Sequence, residues 1–178
     1  MTDDRRFERI GGRKVYAGRI VDVVIDRFRY ADGDEVEREI VRHKGAAGIV
    51  AHDDTHVWLV RQPREAIGDP DFLEIPAGRL DKKGESPLEA AQRELAEEIG
   101  KAAARWERIT SYVSSAGMSD EVIHLFHATG LSDRSAEADE HERIEIVRWP
   151  LVDIDGALGA IRDAKTIIGL QWLKLDRS

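Results

Sequence analysis

Glu85, Arg93, Glu94, Glu97 and Glu98 crowd into one short stretch of the sequence, and this is where chemistry is most concentrated. At about 100° per residue the last three carboxylates share one sector of a helix roughly 100° wide. Clustered carboxylate oxygens are ligands for hard divalent cations, and magnesium in particular keeps some waters and binds substrate phosphates alongside one or two carboxylates. Arg93 then orients the cluster. A second reading stays open at this point. Glu89, Arg93 and Glu97 follow one another at four-residue steps, the charge pattern of a solvated acidic helix face. In that setting Glu94 and Glu98, also four apart, would destabilise the helix by only roughly 0.2 to 0.5 kcal/mol.

The helix carrying these residues is specified at both ends. Ser86-Pro87-Leu88-Glu89 is a capping box with proline at the first helical position, and Gly100 stands where a left-handed C-terminal cap is wanted, so the sequence predicts a helix from about Pro87 to Ile99. Leu88, Ala91, Leu95 and Ile99 form its apolar stripe, with the carboxylates at the rim. Strand-like text surrounds it: Val15 to Tyr30, VEREIVRHKGAAGIVAH, HVWLVRQ, Phe72 to Ile75, Ile109 to Val113, Val122 to His127 and Ile144 to Trp149. Two short helices are expected near the C-terminus. This order predicts an α+β fold with helices packed on a mixed sheet. The acidic stretch Asp133 to Glu142 reads as a long, functional loop.

Composition removes several classes of function. The chain has 178 residues, 42% of them hydrophobic, enough for one sizeable core. Its 35 acidic and 27 basic side chains give a net charge of −8, which offers a nucleic-acid backbone no general attraction. Cysteine is absent, which excludes disulfides, thiolate metal sites and cysteine nucleophiles. With no long apolar run and a charged N-terminal stretch, neither a membrane partner nor secretion is expected, and a cytoplasmic location is.

Residues 78 to 100, GRLDKKGESPLEAAQRELAEEIG, resemble the Nudix box: glycine, a short loop, glutamate, seven residues, Arg-Glu, an aliphatic, any residue, Glu-Glu, any residue, glycine. At a frequency of about 0.07 per residue type, six fixed positions coincide by chance about once in 10⁷ starting points, so the match is specific. Two positions depart from the pattern: six residues separate Gly78 from Glu85 where five are usual, and Lys101 stands where an aliphatic residue is usual. Neither removes a carboxylate. The segments IVRHKGAAGIV, LVRQPR, LEIPAGRLD, SSAGMSDE, ADEHERIEIV and IIGLQWLKL extend the likeness to the ADP-ribose pyrophosphatase branch over most of the chain.

That resemblance implies a Nudix-like α/β/α sandwich and magnesium-dependent hydrolysis of ADP-ribose to AMP and ribose 5-phosphate, with manganese as a possible substitute. It implies that Glu94, Glu98, the Ala77 carbonyl and Glu142 hold metal, that Glu97 supports the cluster through Arg93, and that Glu140 is the general base. For the substrate it implies Arg38, Glu39, Arg64, Gly117, Met118 and Glu121, with Ala116 and Met118 departing from the forms usual there. It further implies a homodimer, with residues 1–44 as a strand-rich dimerisation segment and 45–178 as the catalytic domain. A nucleotide sugar such as GDP-mannose, a dinucleoside polyphosphate or a capped RNA end are alternative substrates, and a non-catalytic nucleotide-binding module is an alternative class. The histidines are poor ligands on this reading, because His124 and His127, three apart on a strand, point to opposite faces. Trp58, Trp149 and Trp172 read as core or interface.

Overall fold

The computed structural model describes residues 5–136 and 143–177. Contacts divide the chain into two compact units, one formed by residues 1–45 with 112–122 and the other by 46–111 with 123–178.

The first unit is an antiparallel sheet of β1 (Phe7–Ala17), β2 (Asp22–Tyr30) and β3 (Glu35–Arg42), with β2 in the middle. The strand-like stretch from Val15 to Tyr30 is therefore broken at residues 18–21, and Phe7 to Lys14, read from the sequence as charged and within the strand-rich segment 1–44, is part of strand β1. β1 is exposed along most of its length, so it lacks the alternation that marks a half-buried strand; its place comes from backbone pairing and from Asp26. That carboxylate is buried on β2 between Arg9 at 2.8 Å and Arg42 at 2.7 Å. Bonds from Arg9 and Arg42 hold it below the usual carboxylate range against the opposing effect of burial. The segment 112–122 lies along β3, where the Val41 N–H donates to the Met118 carbonyl at 2.8 Å and Arg42 also pairs with Asp120 at 2.9 Å.

The second unit holds β4 (Ala46–His52), β5 (His56–Arg64), β6 (Asp69–Glu74), β7 (Ala77–Arg79), α1 (Pro87–Ile99), β8 (Lys101–Val113, its last two residues in the first unit), β9 (Val122–Asp133, its first residue in the first unit), β10 (Glu145–Pro150), α2 (Ile154–Ala160) and α3 (Ala164–Asp176). Its sheet runs β10-β5-β4-β9-β8, with β6 on β5 and β7 on β4; β4 and β9 are parallel while β5 joins its neighbours antiparallel, so the sheet is mixed. Alternate residues of β4 face opposite helices. Ala47, Ile49 and Ala51 pack with Ala90, Ala91, Leu95 and Ile99 of α1. Gly48 and Val50 turn the other way, towards Lys165 and Gly169 of α3. The result is the α/β/α sandwich within an α+β fold. The α3 helix has 13 residues, longer than the short helix expected.

Candidate active site

The carboxylate helix has the boundaries its caps dictate. The Ser86 hydroxyl accepts the Glu89 N–H at 3.3 Å, the Glu89 carboxylate accepts the Ser86 N–H at 2.8 Å, and Gly100 closes the helix in the left-handed region at φ 65°. Glu89 is thus occupied by its cap. The buried face comprises Ala90, Ala91, Leu95, Ala96, Glu98 and Ile99; Leu88, expected on the apolar stripe, is 37% exposed. Glu98 sits inside the stripe and not merely at its rim.

Arg93 organises the acidic side. Its Nε and Nη2 donate to the two oxygens of Glu85 at 2.8 and 2.9 Å, and its Nη1 donates to Glu94 at 2.5 Å and to Glu97 at 2.7 Å. One cation therefore serves three carboxylates, none of whose side chains is more than about a quarter exposed, Glu97 being the most open at 26%. The bond from Arg93 holds Glu85 below its ordinary carboxyl pKa, against burial, and its bonds to Glu85 and then Glu97 and Glu94 raise the Arg93 guanidinium above its own. The solvated-face reading does not describe such side chains.

Main chain meets carboxylate at β7. The Ala77 N–H donates to Glu98 Oε2 at 3.0 Å. At Gly78 a Cβ would stand 1.8 Å from Glu94 Cδ and 1.9 Å from Oε1, so the glycine is required for Glu94 to lie against the backbone. Glu94 and Glu98, one turn apart, converge on residues 77 and 78. Among the described residues no group of three or more histidine, cysteine, aspartate or glutamate side chains forms a metal cage. Two carboxylates beside a main-chain segment nevertheless fit magnesium, which takes few protein ligands and completes its shell with water and phosphate oxygen. Glu140 and Glu142 lie outside the described residues.

The remaining expected residues divide between the units. In the first, a groove of about 430 Å³ is lined by Arg38, Gly117 and Met118, among others, over the aromatic rings of Phe7, Phe28 and Tyr30. Arg38 donates to the Glu37 carbonyl at 2.9 Å. Gly117 has no protein atom within 4 Å of a Cβ position, so packing does not demand glycine there. Residues 36, 38, 40 and 42 line the groove, which places Glu39 on the opposite face of β3; it does not join Arg38. Glu121 lies 3.1 Å from His43 Nδ1. In the second unit Arg64 is held by Glu74 at 2.6 Å. Glu74 was not singled out from the sequence as functional, although a charge inside the apolar run FLEIPA is itself a signal that a buried partner must exist; Gly78 was named only as the opening glycine of the box.

A mixed sheet between helices, with two glutamates of one helix set against a strand's main chain, defines a site of the oxygen-ligand, phosphate-handling class. The chain belongs to the Nudix family: the NUDIX domain model matches residues 41–168. It is 36% identical over 173 residues to a methanol dehydrogenase activator of Bacillus methanolicus and 34% identical over 171 residues to an ADP-ribose pyrophosphatase of Bacillus subtilis, in each case covering 93% of this chain and 91% of the relative. A solved crystal structure of an ADP compounds hydrolase superposes with a TM-score of 0.81 at 26% identity, covering 97% of this chain and 96% of that one.

Proposed function

We propose that this chain is a Nudix pyrophosphatase that hydrolyses the diphosphate link of ADP-ribose, releasing AMP and ribose 5-phosphate. The observation that carries the reading is the convergence of Glu94 and Glu98 on Ala77 and Gly78, with Arg93 bracing the acidic face. Similarity to the ADP-ribose pyrophosphatase of Bacillus subtilis over nearly the whole of both chains supports the choice of substrate.

Glu94, Glu98 and the Ala77 carbonyl would hold magnesium, or manganese in its place, with Glu142 as a further ligand. Bound there, the cation supplies Lewis-acid withdrawal of charge from the diphosphate and acidifies water. The protein's own part is positional. Arg93 neutralises Glu85 and Glu97 so that repulsion does not spread the cluster, and Gly78 leaves room for the Glu94 carboxylate. Arg64, with donors to spare beyond Glu74, is assigned to substrate phosphate, and Arg38, Gly117 and Met118 to the nucleoside side; Glu39 and Glu121 are lesser candidates. Glu140 is assigned as the base that takes the proton of the attacking water, on its match to the family's loop.

We further propose a homodimer formed through residues 1–44 and a cytoplasmic location. Among the described residues no helix is long and apolar enough to cross a membrane.

The deciding experiment is product analysis. Purified chain with magnesium is offered ADP-ribose, GDP-mannose and a dinucleoside polyphosphate, and nucleotide products are resolved by chromatography. AMP released from ADP-ribose with the highest kcat/KM supports the reading, and preference for either of the other substrates overturns it.

A further inference from the structure

Among the described residues Glu74 is the most deeply buried carboxylate of the second unit, 1% exposed at the end of β6 and flanked in sequence by buried Leu73 and Ile75. Withdrawing one such ion from water costs several kcal/mol even after relaxation, so its partners matter. Both of its oxygens are occupied. Arg64 Nε donates to Oε1 at 2.6 Å, with Nη2 of the same guanidinium also 2.6 Å away, and Lys165 Nζ of α3 donates to Oε2.

Exposure rises outward along this chain of charges. The Lys165 side chain is 14% exposed and that of Arg64 41%. Arg64 offers Glu74 one edge of its planar fork; among the described residues its Nη1 makes no hydrogen bond. Arg64 also feels the negative charge of Glu98, which with Glu74 raises its guanidinium pKa against burial. A guanidinium gripped along one edge by a carboxylate, with donors left over on the other, can take a phosphate oxygen on its free edge.

The same short segment is pinned from α3. Asp163 caps that helix by accepting the Thr166 N–H at 2.9 Å and the Thr166 hydroxyl at 2.5 Å, and the Thr166 oxygen accepts the Ile75 N–H at 2.8 Å. Residues 74 to 77 thus carry, in succession, the anchor for Arg64, the tie to α3 and the N–H that holds Glu98.

We propose that Glu74 is a positioning residue of the site, aiming the free edge of Arg64 at a substrate phosphate while Lys165 fixes its carboxylate from behind. The assignment of a phosphate rests on the reading of the site as a diphosphate hydrolase. Glu74 touches no substrate and acts through Arg64.

The test is a double-mutant cycle on Arg64→Gln and Glu74→Gln, read in two ways: magnesium-free binding of inorganic pyrophosphate by calorimetry, and steady-state hydrolysis of ADP-ribose. Arg64→Gln is expected to weaken pyrophosphate binding by about tenfold or more. Glu74→Gln weakens it severalfold, and the double variant binds within about twofold of Arg64→Gln alone, because the two residues work as one unit. In turnover KM rises more than kcat falls. Wild-type pyrophosphate affinity in Glu74→Gln, or a double variant whose loss is the product of the single losses, overturns the proposal. If circular dichroism shows Glu74→Gln unfolded, Glu74→Asp, which keeps the charge and draws it back from Arg64, completes the cycle with the same criteria. Additive losses with normal ADP-ribose hydrolysis count against Glu74 alone; intact coupling in a chain that leaves ADP-ribose uncleaved supports the positioning role and counts against the proposed substrate.

Discussion

Arg93, in the second turn of α1, grips both oxygens of Glu85, the residue just ahead of the helix cap, at 2.8 and 2.9 Å. The bidentate pair ties the loop before the helix to the helix body, leaving the third guanidinium nitrogen for Glu94 and Glu97. Geometry of this kind is stronger than a single contact between charges.

Replacing Arg93 by methionine leaves three half-buried carboxylates facing one another. The expected loss of stability without metal is about 2 to 4 kcal/mol, in the range for removing one partner of a buried ionic network. Magnesium, binding only the folded state, should return part of that loss. Urea unfolding with and without the cation measures both numbers, and equal losses in the two conditions would contradict the role assigned to the cluster.

Gly78→Ala separates folding from function. The added Cβ collides with the end of a flexible side chain, Glu94 Cδ at 1.8 Å, so the carboxylate swings away and the fold survives. A melting temperature within about 4 °C of wild type, a shift of about 1 kcal/mol or less, is expected together with lost manganese binding, read by electron paramagnetic resonance. Full manganese affinity in this variant would refute Glu94 as a ligand.

Glu98→Gln keeps an oxygen to accept the Ala77 N–H while deleting a charge that is 7% exposed. Stability should hold or rise slightly. Turnover with magnesium should fall by at least about a hundredfold, since the Lewis-acid contribution is worth several kcal/mol. Activity near wild type would falsify the ligand assignment.

Acid sensitivity should trace in part to the turn between β4 and β5. Burial pushes the Asp53 carboxyl up, but three hydrogen bonds at 2.8 Å, from the Thr55 N–H, the Thr55 hydroxyl and the His56 N–H, bring it down to about 2. A depressed folded pKa gives stability that is complete above the unfolded value near 4 and is lost as pH falls towards 2. The shift corresponds to at most about 2 kcal/mol, and about half of that once solvent screening of a side chain one-third exposed is allowed for. Thermal melts of Asp53→Asn against wild type should differ at pH 6 and converge towards pH 2; a constant gap would contradict this.

Self-association is expected from the exposed apolar side chains of the N-terminal strands, Phe7 at 63% and Tyr16 at 58%. Light scattering at micromolar concentration should give about twice the 20.0 kDa of one chain, and a 20 kDa species alone would remove the dimer.

What the sequence revealed depended on whether the signal was local. The limits of α1 are legible because Ser86, Pro87, Glu89 and Gly100 act within one turn of their own positions. Strand β1 is not, since FERIGGRK is held by pairing with β2 and by the distant Asp26, neither of which leaves a periodic trace. The start of β8 at Lys101 was hidden by alanine-rich text that favours helix in isolation. The carboxylate cluster was readable from spacing, but the displacement of Glu39 from Arg38 follows only from which face of β3 is turned to the groove. Glu74 and Lys165, 91 residues apart, meet only through tertiary packing.

The loop at Asp81 to Gly84 lies between two fixed points, Gly78 beneath Glu94 and Glu85 in the grasp of Arg93. It is exposed, and Gly84, at φ 84°, has no neighbour within 4 Å of a Cβ position. One extra residue can bulge there into open water while both anchors stay put. Loop length at this point can therefore drift between relatives without retuning the acidic residues behind it, so a spacing that departs by one from the usual pattern is no mark of a broken enzyme.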